Sequence, residues 1–181
     1  MLRENLPKNL FYHTPEHTMD VVRAAERIAN SEGCSDDEVL LLKTAALFHD
    51  TGYIRDMREH EKHGCIIAAE ILGEHGITKE EINAVSALIM ATKVPQQPQT
   101  KLEQIICDAD LDYLGRDDYF SIAENLHREF LAYEKIKDEK DWMQLQLKFL
   151  QSHKYFTDTS IRSRQPVADE NLKKIRETVI E

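Results

Sequence analysis

The stretch Val39-Leu40-Leu41-Leu42-Lys43-Thr44-Ala45-Ala46-Leu47-Phe48-His49-Asp50 is apolar nearly all round a helix, broken only by Lys43 and Thr44. A helix of that pattern belongs at the centre of a fold, buried on most sides. Its last two residues are the difficulty. An ionised Asp50 there would meet the negative end of the helix dipole, at a cost of about 0.3–1 kcal/mol, after a run where unpaired charge is disfavoured further. A bound divalent cation would reverse that electrostatic balance. The alternative is local: Asp50 caps the next turn at Thr51-Gly52 while His49 hydrogen-bonds a carbonyl.

Working outward, the neighbouring segments also read as helices. Thr14-Pro15 pairs an N-cap with a proline at the first helical position, and the helix runs to about Asn30, with Gly33 beyond its end. Ser35 with Glu38, and Thr78 with Glu81, form capping boxes. Residues 60–75 make a further helix; the one opened by Thr78 ends near Thr92, before Pro95 and Pro98. Residues 101–114 continue to Gly115. Two amphipathic helices follow, Asp117–Tyr133 lined by Phe120, Ala123, Leu126 and Phe130, and about Asp138–His153 lined by Trp142, Leu145 and Phe149. Ser160–Pro166 reads as a loop, and Leu172, Ile175 and Val179 suggest a short closing helix. No alternating strand, repeat or composition shift intervenes. The expectation is an all-α fold in a single domain over 1–181, with a core at about 12–114 and a helical extension at about 117–181.

Composition narrows the function. The chain has 181 residues, 41% hydrophobic, enough to bury a core without disulfides. A formal net charge of −10 argues against binding duplex nucleic acid. No apolar run reaches the roughly 20 residues that span a bilayer, and the opening MLRENLPKNLFYH lacks the apolar stretch of a secretory signal. Cys34, Cys65 and Cys107 form no CxxC pair, which favours a reducing, cytoplasmic setting. Cys65 and Cys107 read as buried packing residues.

Two further clusters offer partners to His49-Asp50. His13 and His17 lie four apart, His13 in the loop leading to the first helix and His17 on its first turn, where the two can approach. Surface placement of both is the competing reading. In Cys107-Asp108-Ala109-Asp110-Leu111-Asp112, helical phase puts Asp110 beside Ile106, Cys107 and Leu114, and Asp108 beside Lys101, Gln104 and Asp112. Asp110 is therefore expected to point inward, and Asp108 and Asp112 outward as a solvated acidic face.

These residues resemble the HD-domain superfamily of metal-dependent phosphohydrolases. Tyr12-His13-Thr14-Pro15-Glu16-His17-Thr18, the stretch 45–53 (AALFHDTGY) and 106–112 (ICDADLD) carry the resemblance, which covers roughly 12–114. It implies a helical core in which His17, His49, Asp50 and Asp110 ligate one divalent metal ion. It also implies hydrolysis of a phosphomonoester or phosphodiester, of a nucleotide or other small phosphorylated metabolite. The Tyr-His-x-x-x-His opening is similar to that of cyclic-nucleotide phosphodiesterases, where the first histidine protonates the leaving group; His13 occupies that position, and Asp50 joins it as the second catalytic residue. Imidazole and carboxylate donors suit Mn²⁺, Fe²⁺, Co²⁺, Ni²⁺, Zn²⁺ or, less well, Mg²⁺.

Substrate contacts are assigned to His60, Arg55, Arg58 and Lys93, the arginines through bidentate phosphate bonds. The competing reading for each is an exposed or ion-paired side chain. Arg116 is a further basic candidate, whereas His63, His75, His127 and His153 are taken as structural or solvated. Where two-metal relatives carry a downstream histidine, this chain has Met90-Ala91-Thr92-Lys93, so one metal is expected. A non-catalytic nucleotide-binding regulator and a di-iron oxygenase of the same fold remain as alternatives. Homo-oligomers are compatible with all three.

Overall fold

The computed structural model describes residues 5–180; residues 1–4 and 181, which include the start of the N-terminal opening and both ends of the expected domain range, lie outside it. The described residues are helical with no strand. Helix α1 spans Pro15–Ser31, α2 Asp36–Phe48, α3 His60–Glu74, α4 Lys79–Ala91 and α5 Lys101–Asp110. Tight 3-10 turns at Thr51–Ile54 and Asp112–Gly115 follow α2 and α5. Helices α6 (Tyr119–Ala132), α7 (Glu139–Ser152), α8 (Asp158–Ser163) and α9 (Gln165–Ile180) complete the chain.

The caps explain where the first helices begin. Thr14 accepts the His17 N–H at 3.4 Å, with Pro15 starting the helix. Both capping boxes read from the sequence form, and a third, Thr100 with Glu103, opens α5. Helices α1 to α5 enclose one core around Ile28, Leu42, Ala46, Ile89, Ile105 and Ile106, all fully buried. Each large aliphatic chain removed from water there contributes about 1.5–3 kcal/mol before entropy is subtracted. A second core joins Tyr12, Leu114, Tyr119, Trp142, Leu150 and Ile175.

Helix α2 is less enclosed than its sequence predicts. Val39, Leu42, Ala45 and Ala46 face the core, but Leu40 is 64% and Leu47 43% exposed. Its small alanines let α1 approach one side, and the opposite stripe has no partner helix. Phe120, expected to line the inner face of α6, is also exposed. The expected loop at Ser160–Pro166 is instead helical, in α8 and the first turn of α9. Thr157 caps α8 by accepting the Ser160 N–H at 3.1 Å. Pro166 sits at the second position of α9, where a missing N–H costs no helical hydrogen bond.

Asp108 and Asp112 correct the expectation of a solvated acidic face. Asp108 is wholly buried and accepts the N–H groups of Phe156 and Thr157 at 2.9 and 2.8 Å, with the Thr157 hydroxyl at 2.7 Å. Asp112 accepts from Arg27 at 2.5 Å and from Arg164 at 2.7 and 3.1 Å. These two carboxylates fasten the C-terminal helices to α1 and α5.

Candidate metal centre

Three elements deliver four side chains to one point. His17 lies on the first turn of α1, His49 and Asp50 follow the last turn of α2, and Asp110 ends α5. The ligating atoms of His17, His49 and Asp110 all lie within 4.8 Å of one another. His49 Nε2 is 3.2 Å from Asp50 Oδ2 and 3.3 Å from Asp110 Oδ1. His17 Nε2 is 3.5 and 3.4 Å from the same two oxygens.

Proximity here is not hydrogen bonding. His17 Nε2, His49 Nε2 and Asp50 Oδ2 are buried, yet none has a hydrogen-bond partner. Buried polar atoms are rarely left so. His49 also fixes its own tautomer, because Nδ1 donates to the Ala46 carbonyl at 2.8 Å. In the neutral ring, Nε2 then presents a lone pair toward two carboxylates. Something positive must lie between them. Burial pulls the His49 pKa down, but Asp50 and Asp110 outweigh it and hold the imidazole well above its usual range. Burial likewise pushes the Asp110 carboxyl up, while His17 and His49 hold it down to about 2. A divalent cation would satisfy these facing atoms, and a set of two imidazoles and two carboxylates fits it. Asp50 makes no side-chain cap to the following turn, so only the His49 half of the local alternative is realised.

A second constellation adjoins the first. His13 hydrogen-bonds through Nδ1 to Glu129 and lies 3.0 Å through Nε2 from the Tyr53 hydroxyl. Glu129 also accepts the Tyr12 and His13 N–H groups at 2.9 and 3.1 Å. Burial would raise the Glu129 pKa, but these donors, His13 first, hold it below the usual carboxylate range. The Tyr53 ring stacks against both His13 and His60, centroids 4.3 and 4.2 Å away, and the two imidazoles lie 6.3 Å from each other. His60 Nε2 is 3.6 Å from Asp50 Oδ1 and 3.5 Å from buried Glu61.

One cavity of about 440 Å³ reaches His13, Asp50, His60, Lys93 and Asp110. Arg55 and Arg58 do not line it: Arg55 pairs with Glu70 at 2.6 Å on the surface, and Arg58 is exposed, its backbone N–H bonded to Asp56 at 2.8 Å. Arg116 borders a separate cavity on the far side of His17, bonded to Asp20 and Asp118 at 2.6 Å. Glu129, Tyr53 and Glu61 were absent from the sequence-derived set. Glu129 could have been found there, since it falls on the helical row Ile122, Leu126, Glu129, Tyr133, where a charge among apolar neighbours needs a partner.

Comparison with known proteins bears on the fold and the family. No curated protein matches the sequence. A crystal structure of a predicted HD superfamily hydrolase from an uncultured Thermotogales bacterium shares the fold, with a TM-score of 0.64 at 20% identity, covering 99% of this chain and 87% of the other. The HD domain profile matches residues 14–113, a span that opens at the cap of α1 and closes just past Asp110. More than half of the sequence falls within that match, and the chain belongs to the HD-domain family.

Proposed function

We propose that the protein is a metal-dependent phosphohydrolase acting on a phosphomonoester or phosphodiester of a small metabolite, nucleotides included. The observation that carries the reading is the set of buried, unpartnered atoms His17 Nε2, His49 Nε2 and Asp50 Oδ2 facing one another beside Asp110. The structural neighbour, described as a hydrolase, is in keeping with it. In this reading His17, His49, Asp50 and Asp110 hold one divalent ion; no second His/Cys/Asp/Glu cluster of ligating geometry occurs among the described residues. Such an ion, when bound, supplies Lewis-acid polarisation of the phosphoryl group and acidifies water.

The remaining work falls to the chain's own groups. The Glu129 carboxylate holds the His13 ring through Nδ1, and His13 lines the cavity, leaving Nε2 as the nitrogen that would pass a proton to the leaving oxygen. Tyr53 Oη, 3.0 Å from that nitrogen, holds the position the leaving oxygen would take. Lys93 provides a cation for a phosphoryl oxygen. The test is phosphate release from an ester panel with Mn²⁺, Co²⁺, Ni²⁺, Zn²⁺ and Mg²⁺ in turn, on wild type and Asp50→Ala. Metal-dependent release is expected, lost in the variant; release that survives Asp50→Ala would overturn the site.

A further inference from the structure

The cavity that reaches the metal centre continues away from it into a slot between α6 and α7. Ala123, Leu126 and Phe130 form one wall; Trp142, Leu145 and Phe149 form the other. These are the faces that the helical pattern assigns to a packed core; Phe130 and Trp142 do meet edge to face, ring centroids 6.1 Å apart, but the cavity opens beside them along the rest of the two faces. Space left between two apolar faces forfeits dispersion contacts, so the fold maintains it at a cost that an apolar occupant would recover. The far end holds one uncharged polar side chain, Gln146, whose Oε1 is already taken by the Tyr119 hydroxyl at 2.8 Å. Charge lies only at the near end, where Asp50, Glu59, Glu61 and Asp110 face a single Lys93. Neither Arg55 nor Arg58 enters to balance them. Such a vestibule repels a chain of phosphates and accepts one phosphoryl group at the metal centre.

The geometry points to a substrate that is the monophosphate ester of an apolar, ring-bearing alcohol, its phosphoryl group at His17, His49, Asp50 and Asp110 and its ring in the slot against Leu126, Leu145 and the Phe130–Trp142 pair. This rests on the phosphohydrolase reading and specifies its substrate. In the reaction, water oxygen bonds to phosphorus as the ester P–O bond breaks. The alcohol oxygen gains a proton, and the products are inorganic phosphate and the free alcohol. The apolar alcohol stays in the slot while charge leaves.

The sole tryptophan of the chain is Trp142, so its fluorescence reports on the slot. The experiment has two arms on Mn²⁺-loaded protein. The first compares kcat/KM for phenyl phosphate, glycerol phosphate and a nucleoside triphosphate, in wild type and Leu145→Asp. A preference for phenyl over glycerol phosphate of roughly tenfold or more is expected, because a ring in an apolar pocket exceeds the discrimination available to a single methylene; that ratio should collapse in Leu145→Asp. The second titrates phenylphosphonate and methylphosphonate while following Trp142, and only the phenyl compound should give a saturable change. Glycerol phosphate or triphosphate turned over as well as phenyl phosphate, with Trp142 indifferent, would overturn the slot assignment. No release from any ester, with Trp142 still responding to phenylphosphonate, would overturn the phosphohydrolase reading and uphold the slot as a binding site.

Discussion

In the proposed reaction Glu129 is the residue on which proton transfer turns. Its carboxylate takes three hydrogen bonds from Tyr12 and His13 and belongs to α6, remote in sequence from the metal cluster. Glu129→Gln keeps the shape but removes the charge that orients the His13 ring. We expect kcat for a phosphomonoester to fall by about 10–100-fold, the range for loss of an orienting partner. The alkaline limb of the pH–rate profile should move, while bound Mn²⁺ per chain stays unchanged. A loss of metal would mean that Glu129 serves the ligands instead. A second residue sets a pH dependence of stability. Burial pushes the His153 imidazole down to about 4, and Nε2 has no partner. Between about pH 6.5 and that value the unfolded chain binds a proton that the folded chain excludes, so stability rises with pH across the window. Moving from pH 7 to pH 5 should cost about 2 kcal/mol through this group. Urea unfolding at both pH values should show His153→Phe losing that much less than wild type; equal losses would refute it. At this scale helical phase was only half a guide to where charge lies. Helical phase separated Asp110 from Asp108, but it could not foresee that Asp108 and Asp112 find donors from residues 156, 157 and 164. Those donors are long-range, and no local pattern encodes them.

At the level of elements, the turn after α2 positions the site more than any helix does. A Cβ built on Gly52 would lie 1.8 Å from the His60 carbonyl oxygen, a backbone atom that cannot rotate away. The Thr51–Ile54 turn therefore packs directly on the start of α3, which fixes His60 against Tyr53 and Asp50. Gly52→Ala should force these elements apart and destabilise the protein by at least about 2 kcal/mol, at the upper part of the overpacking range. Thermal unfolding checks this, and an unchanged Tm would show that the contact relaxes freely. Helix starts were readable wherever a cap and a proline or glutamate coincide, as at Thr14, Ser35 and Thr78. Helix α8 and the start of α9 were not, because Pro166 and a run of serines and arginines mimic a loop, although Leu172, Ile175 and Val179 marked the rest of α9. What makes that segment helical is tertiary: Ser160 is wholly buried, and Glu32 of the α1 end accepts the Thr159 N–H at 2.9 Å.

Across the whole molecule, the region matched to the family and the helices beyond it build one site between them. Helices α1, α2 and α5 bring the proposed metal-ligating set, α6 brings Glu129, and α6 with α7 form the apolar slot. Asp112 ties these parts through Arg27 of α1 and Arg164 ahead of α9, and Asn171 of α9 donates to the Leu114 carbonyl at 3.0 Å. The proposed ligands thus come from segments as far apart as residues 17 and 110, and unfolding must scatter them. A metal ion that binds only the assembled set stabilises the fold by RT ln(1 + [M]/Kd), about 2.7 kcal/mol at 100 times Kd. For a chain of this length that amounts to a rise in Tm of roughly 5–10 °C. Melts in excess EDTA and in saturating Mn²⁺ should differ by this amount in wild type. His17→Ala removes one donor while leaving the α1 cap at Thr14 in place, and should melt at nearly the same temperature under both conditions. If its Mn²⁺ increment equals that of wild type, the ion is held elsewhere, and the convergence of α1, α2 and α5 must be explained without it.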